Sequence, residues 1–411
     1  MPEPGITLVP VAAGLIFLGT YLVLALGKLP GFHLDRTGAA LLGASLVVVC
    51  GVLTPAEAFY AIDGNTIALL LGMMIVVANL RLSGFFRLAT DWIARHAQHP
   101  VVLLIAIVIA SGIFSAFLVN DTICLALAPL VLDVVTRLGR RPVPYLLAVA
   151  MASNCGSTAT ITGNPQNIVI GSLSGISYGH FAEALSPIAL AGLVLTIALI
   201  VLFFPKEFQT RERLEATSDR VTYHPALMFK SLAATSILVV LFFAGAAPAK
   251  AAILVGGLLL LTRIVKNTKI YREIDWPLLL MFAGLFIVVA GFEKALLSPS
   301  IVASVGRLHL ESIPVLSVVT AVLSNVVSNV PAVLVLRPFI FPLHDQKTAW
   351  LTVAMASTLA GNFTVLGSVA NLIVVQKAAA RGVPIRFWDY FKIGAPLTIL
   401  TIAFGAWWLA H

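Results

Sequence analysis

The sequence predicts an all-α polytopic membrane protein of two inverted repeats, with about ten full spans. Each repeat carries a re-entrant helical hairpin and a broken transmembrane helix. Three observations predict this. Of 411 residues, 59% are apolar and 11% charged, against roughly 45–50% and about 25% in soluble domains, and the mean hydropathy is +1.01. Segments recur in the same order at a nearly constant spacing. Once those segments are threaded through a bilayer, the basic residues collect on one face. A soluble globule of this size could not cover itself with so few charges. Disordered, collagen-like and disulfide-scaffold classes are excluded as well, since Cys50, Cys124 and Cys155 are odd in number and all lie in apolar stretches.

A spanning helix needs about 20 apolar residues. Ile6–Leu26, Thr37–Leu53, Thr66–Leu80, Pro187–Phe204, Ala226–Ala244, Ala249–Leu261, Pro277–Gly291 and Pro396–Leu409 meet or approach that length. The first has no positive stretch before it and no small-residue cleavage site after it, so it is expected to stay as a span. Two zones, 101–138 and 313–343, hold two arms each, interrupted by polar tips at Asn120-Asp121-Thr122 and Ser328-Asn329. Two more, 145–173 and 348–380, are broken in the middle by Gly, Asn, Ser and Thr. The expected organisation is a first repeat over 1–204, a cytoplasmic linker over 205–225 and a second repeat over 226–411.

The duplication rests on identities in order. Ile62-Asp63 and Gly72 recur as Ile274-Asp275 and Gly284, at an offset of 212. Ser115, Asn120 and Pro129 recur as Ser324, Asn329 and Pro338, at 209. Val149-Ala150-Met151-Ala152-Ser153 recurs as Val353-Ala354-Met355-Ala356-Ser357, at 204, and there Thr160, Gly163 and Asn167 meet Thr364, Gly367 and Asn371. With the hairpin entering and returning, each repeat crosses five times, an odd number, so the second is inverted.

Charge tests this independently. With both termini outside, the inside segments hold Lys28, Arg36, Arg81, Arg87, Arg95, Arg137, Arg140, Arg141, Lys206, Arg211, Arg213, Arg220, Arg263, Lys266, Lys269, Arg272, Lys377, Arg381, Arg386 and Lys392. The outside holds Lys250, Lys294, Arg307 and Lys347. Lys230 starts a helix on the inside and Arg337 lies within a hairpin arm. Twenty against four follows the positive-inside rule. The net charge of +8 therefore reports orientation, and no nucleic-acid partner is expected.

Irregular backbone at membrane depth survives only where protein or a water-filled cavity surrounds it. A hairpin tip and a broken helix in each inverted repeat place a binding site near the midplane. Half-helix N-termini suit an anion, while unwound carbonyls and Asn, Ser and Thr oxygens suit a hard cation such as Na⁺. The first repeat offers Asn120, Asp121 and Thr122, with Ser157, Thr158, Thr160, Gly163, Asn164 and Asn167 in its break. The second offers Ser328, Asn329 and Val330, with Asn362, Thr364, Gly367, Ser368 and Asn371.

These paired motifs resemble the ion transporter superfamily of arsenite permeases, citrate transporters, divalent anion:sodium symporters and certain sodium/proton antiporters. The tips resemble its Ser-Asn-Thr hairpins, and Thr160-x-x-Gly163-x-Pro165-x-Asn167 resembles its broken helix. The resemblance runs from Ala61 to Leu397 and implies elevator-type alternating access, no cofactor beyond a coupling Na⁺ or H⁺, and a homodimer in a bacterial cytoplasmic membrane. It implies one ion site at Asn120, Thr122, Thr160 and Gly163 and its counterpart at Ser328, Asn329, Thr364 and Gly367. Na⁺ would meet Asn120, Gly163, Asn329 and Gly367, with the anion between. The first tip carries an acid, Asp121, and the second lacks a threonine, which leaves arsenite, another inorganic oxyanion or a carboxylate open.

The expected function is secondary active transport of a small anion, with a Na⁺/H⁺ antiporter or an anion channel as alternatives. No enzyme is expected, since no His-x-x-x-His pair, nucleophile elbow or dinucleotide loop occurs. Asp121 is read as a proton or cation site, or as a cap of the second arm. Asp63 and Asp275 are read as helix caps, Arg337 as an anion attractor or a paired arginine, and 85–96 as an interfacial helix.

Overall fold

Short polar signals set the helix ends in this chain. Thr54 and Glu57 form a reciprocal capping box, Asp63 accepts from the N–H groups of Asn65 and Thr66, and Asp275 accepts from Leu278, so both repeat-related aspartates are caps. Prolines open several helices at their first turn, where the missing N–H costs nothing.

The computed structural model describes residues 8–27, 31–97, 99–209, 222–261, 264–296 and 309–411. The first repeat contains α1 (Leu8–Leu26), α2 (Arg36–Val49), α3 (Pro55–Ala61), α4 (Gly64–Ser83), α5 (Phe85–His96), α6 (Pro100–Phe117), α7 (Asn120–Arg137), α8 (Pro142–Ser157), α9 (Pro165–Ser174) and α10 (Tyr178–Phe203). After α11 (Pro205–Phe208), the second contains α12 (Pro225–Phe243), α13 (Pro248–Leu260), α14 (Asn267–Arg272), α15 (Trp276–Leu296), α16 (Ile313–Val327), α17 (Asn329–Ile340), α18 (Gln346–Ala360), α19 (Val369–Ala379) and α20 (Phe387–Leu409). Ile6, Lys28, Arg211, Arg213, Arg220, Arg263 and Arg307 lie outside the described residues, as does most of the 205–225 linker.

Among the described residues seven helices are long and apolar enough to cross a membrane: α1, α4, α6, α10, α12, α15 and α20. Six are expected spans, and α6 is the first arm of a hairpin. The expected spans at Thr37–Leu53 and Ala249–Leu261 are helices of only 14 and 13 residues. At about 1.5 Å per residue they reach roughly 20 Å, short of the roughly 30 Å hydrocarbon core.

Close packing accommodates the short helices. A Cβ added to Gly284 of α15 would lie 2.7 Å from the Ala40 backbone of α2, and one on Gly72 of α4 would lie 2.4 Å from the Ala252 backbone of α13. Both pairs are related by the same offset of 212, so α4 crosses α13 as α15 crosses α2, each repeat making the same contact with the other. Small residues let backbones approach in this way where lipid supplies no hydrophobic drive.

Ion pairs agree with the threading. Arg81 pairs with Glu273 at 2.6 Å and Arg140 with Glu207 at 2.8 Å, each joining segments that the charge count assigns to one face, and Lys294 pairs with Glu57 at 2.6 Å across two segments that it assigns to the other. Lys230 donates to the Leu258, Leu259 and Leu261 carbonyls, closing the C-terminal end of α13.

Candidate functional site

Each hairpin tip is a backbone kink. Val119, between α6 and α7, has φ 39°, and Ser328, between α16 and α17, has φ 79°. Positive φ is costly for a non-glycine side chain, a β-branched one above all, and such strain gathers at functional sites. The Val119 N–H donates to the Thr162 carbonyl at 3.3 Å. Ser324 Oγ donates to the Ser357 carbonyl at 3.1 Å and Asn325 Nδ2 to the Ala360 carbonyl at 3.1 Å. Each tip is thereby fastened to the midpoint of its own broken helix.

The two breaks are built alike. Asn164 caps α9 by accepting from the Asn167 N–H at 2.9 Å, and Ser368 caps α19 by accepting from the Ala370 N–H at 3.2 Å. Glycine is required where the loop folds back: a Cβ on Gly163 would lie 2.1 Å from the Ser157 carbonyl oxygen, and one on Gly367 would lie 2.9 Å from that of Gly361. Asn167 Nδ2 donates to the Ser157 and Thr160 carbonyls at 3.1 and 3.0 Å. Asn371 Nδ2 does the same to Gly361 and Thr364 at 2.7 and 3.1 Å. These two asparagines brace the loops.

Two residues that the motif reading passed over join the repeats. Asn154 Nδ2 donates to Asn362 Oδ1 at 2.9 Å and Asn371 Oδ1 at 3.0 Å, while its Oδ1 accepts from Asn120 Nδ2 at 3.0 Å and Ser368 Oγ at 3.1 Å. Its counterpart at the offset of 204 is Thr358, whose Oγ1 accepts from Asn164 Nδ2 and Gln166 Nε2, both at 3.2 Å. The signal was available: both directly follow the shared run ending at Ser153 and Ser357, separated from it by no residue in either repeat.

A crevice of about 510 Å³ opens beside this junction. Of the sequence-predicted residues, Asn120, Asp121, Ser328, Asn329, Val330 and Ser368 line it. Ser157, Thr158, Thr160, Gly163, Asn164, Asn167, Asn362 and Asn371 are buried behind it. Thr160 Oγ1 bonds the Ala116 carbonyl. Thr364 and Gly367 belong to the second turn, where Gly367 faces Asn325 Oδ1. Thr122 is half-buried and does not line the crevice. Gln166, Asn325, Gln376, Arg36 and Asp275 line it without having been predicted.

The N-termini of α7, α9, α17 and α19 all reach the crevice, through Asn120, Pro165, Asn329 and Val369. Asp121 does not cap its own arm, since the N-cap position is Val119 and carries no side-chain bond. Its carboxyl instead lies within reach of the Ala370 N–H at the start of α19. Two buried acceptors, Asn120 Oδ1 and Asn325 Oδ1, have no hydrogen-bond partner among the described residues. In the second repeat the matching oxygen, Asn329 Oδ1, takes a 2.6 Å bond from Ser324 Oγ. Arg337 stands away from the crevice, 4.0 Å from Glu293 and with its guanidinium carbon 5.7 Å from the Phe341 ring centre.

A family model described as citrate transporter matches residues 21–360. The chain belongs to the citrate transporter family. An uncharacterized transporter of Mycobacterium tuberculosis is 31% identical, with 97% of each chain covered. The silicon efflux transporter LSI3 of Oryza sativa subsp. japonica is 28% identical over 96% of each. The putative transporter arsB of Dictyostelium discoideum is 24% identical over 98% of this chain and 92% of that one. Among solved structures, the YdaH transporter of Alcanivorax borkumensis aligns with a TM-score of 0.62 at 15% identity, covering 100% of this chain and 97% of that one.

As a citrate transporter family member the protein is an integral membrane transporter and not an enzyme. The crevice of this family member opens between Leu24–Gly27, Arg36-Thr37 and Asp275–Leu278, the connections that the charge count assigns to the inside.

Proposed function

We propose that the protein is a secondary active transporter of a small anion, coupled to Na⁺ or H⁺, working by elevator-type alternating access from both sides of a bacterial cytoplasmic membrane. The observation that carries this reading is the convergence of four half-helix N-termini on one crevice. Each N-terminus contributes a partial charge of roughly +0.5 and free N–H groups, the fittings for an oxyanion or a carboxylate. The fixed side chains oppose that field, with Asp121 and Asp275 against Arg36 alone.

That opposition supplies a coupling mechanism. Asp121 competes with an anion for the start of α19, so a proton on its carboxyl, or a cation beside it, favours anion binding. Na⁺ is the alternative, held by Asn120 Oδ1 in the first repeat and by Asn325 Oδ1 near Gly367 in the second, with Asn329 in second place because its oxygen is already engaged. The uncharged polar side chains of the lining are Asn, Ser, Gln and Thr37, set among apolar ones such as Met281 and Phe282, which suits a small hydroxylated oxyanion such as arsenite at least as well as citrate. The family model named for citrate and the relative named for silicon efflux bracket the same range. A homodimer with both termini outside completes the proposal.

The test is reconstitution of the full chain in liposomes with citrate, arsenite and silicate offered in turn, each with an imposed Na⁺ or proton gradient. Gradient-dependent flux of one of them is expected, lost in Asn120→Ala. Gradient-independent flux far above about 10³ per second, outside the usual carrier-like turnover range, would mean a channel. Na⁺-driven proton release with no anion requirement would favour the second reading, an antiporter centred on Asp121.

A further inference from the structure

Outside the crevice the fold carries a second, strongly basic cavity of about 700 Å³, between α5, the C-terminal end of α7 and the turn after α19. Arg87, Arg137, Arg140 and Arg381 line it, with Asp91 and Asp133. Among the described residues, four guanidinium groups against two carboxylates leave the lining at +2. Asp91 is paired with Arg95, Asp133 with Arg381, and Arg140 with Glu207. Arg137 Nε leans on the Asp133 carbonyl at 3.4 Å. Arg87 is exposed and makes no ion pair among the described residues.

The opposite face of α5 covers an apolar groove of about 650 Å³, whose walls include Leu88, Trp92, Ile109 and Ile113 and no polar side chain. On a helix stepping about 100° per residue, Phe85, Leu88, Ala89, Trp92 and Ile93 centre on one side while Arg87, Thr90 and Asp91 centre on the other. In a membrane transporter that groove is filled by acyl chains, which seats α5 at the boundary of the headgroup layer. Arg87 then stands at phosphate depth, and guanidinium forks match phosphate oxygens in pairs.

We propose that this cleft binds the phosphate of an anionic phospholipid, held by Arg87, Arg137 and Arg381, and that the bound lipid fastens α5 to the end of the hairpin. The site is independent of which anion or coupling ion is carried.

The experiment uses the full chain in nanodiscs of phosphatidylcholine alone or mixed with phosphatidylglycerol, reading retained lipid by native mass spectrometry and thermal stability in parallel. Wild type retains phosphatidylglycerol selectively, and Arg87→Gln with Arg137→Gln weakens retention by about fivefold per arginine. Lys266→Gln with Lys269→Gln, a control on the same face, leaves it unchanged. Should the glutamine pair fail to insert, Arg87→Lys with Arg137→Lys keeps the charge, and a partial loss of retention is expected from the missing forks. Equal retention by the arginine variants overturns the proposal. So does an equal loss in the lysine control, which would make it general surface charge. Stabilisation by inorganic phosphate as large as that by phosphatidylglycerol would make the ligand a soluble anion.

Discussion

Asn154→Ala is the sharpest test of the junction between the repeats. The wild-type amide makes four hydrogen bonds, to Asn362, Asn371, Asn120 and Ser368, and the residue is buried. Truncation deletes all four. Asn371 keeps its two carbonyl acceptors and Ser368 still accepts from the Ala370 N–H, so the breaks retain their internal bracing. What is orphaned is the link between them: Asn362 Oδ1, Asn371 Oδ1, the Asn120 amide and the Ser368 hydroxyl. An unsatisfied buried group costs about 1–3 kcal/mol, and water entering the vacated space offsets part of that. The expected net cost is about 2–4 kcal/mol, shared between the first hairpin tip at Asn120 and the second break at Asn362, Ser368 and Asn371. Since about 1.4 kcal/mol is tenfold in an equilibrium, substrate or coupling-ion affinity should fall by more than about tenfold. The assays are uptake in proteoliposomes and unfolding temperature by fluorescence size-exclusion chromatography. Thr358→Ala, on the other side of the pseudo-symmetry, should produce a smaller version of the same defect. Wild-type uptake with an unchanged unfolding temperature in Asn154→Ala would refute the assignment of this residue as the tie between repeats.

Gly163→Ala should abolish uptake while Gly175→Ala costs only about 1 kcal/mol, because a Cβ at the first meets the Ser157 carbonyl at 2.1 Å and at the second meets open space; equal activities would argue against the folded-back loop. Arg140→Ala leaves Glu207, with 4% of its side chain exposed, facing only the Tyr145 hydroxyl, so a loss of about 3–5 kcal/mol is expected in thermal unfolding, partly restored by adding Glu207→Gln. Lys294 and Thr54 hold the Glu57 carboxyl down at about 2 from 4.5. Its contribution to stability is complete above pH 4.5 and is lost as pH falls toward 2, and Glu57→Gln should flatten the stability profile in that window only. The Tyr21 hydroxyl donates to the Pro331 carbonyl at 3.2 Å, joining α1 to the second tip. With Cys50 replaced, a short bis-thiol cross-link between Tyr21→Cys and Pro331→Cys should stop an elevator reversibly, and undiminished flux in the linked protein would exclude that motion.

The fold was legible because a bilayer leaves few options for unpaired backbone. Apolar length gave the spans, and the recurrence of Gly72 as Gly284 marks the two points of closest helix crossing. The lengths of α2 and α13 were not legible. Thr37–Leu53 is apolar to its end, yet the helix stops at Val49, where Cys50 and Gly51 turn the chain. Hydropathy records what lipid tolerates, whereas that stop is a backbone decision made by Gly51 at φ 71°.

At the site, motif reading found the right loops and ranked their members poorly. Asn167 and Asn371 sit within the most recognisable motifs and spend their amides holding up the loop. Asn154 and Thr358 sit in helices that look merely apolar, and they carry the contacts between repeats. The difference is long-range: every bond joining Asn154 to Asn362 or Asn371 spans more than 200 residues, and no local pattern encodes such a partner. Internal symmetry does encode it, because a duplicated position facing the pseudo-twofold axis must meet the other copy. Polar residues at equal offsets inside otherwise apolar helices are therefore the better candidates in such chains, ahead of polar residues in the loops themselves.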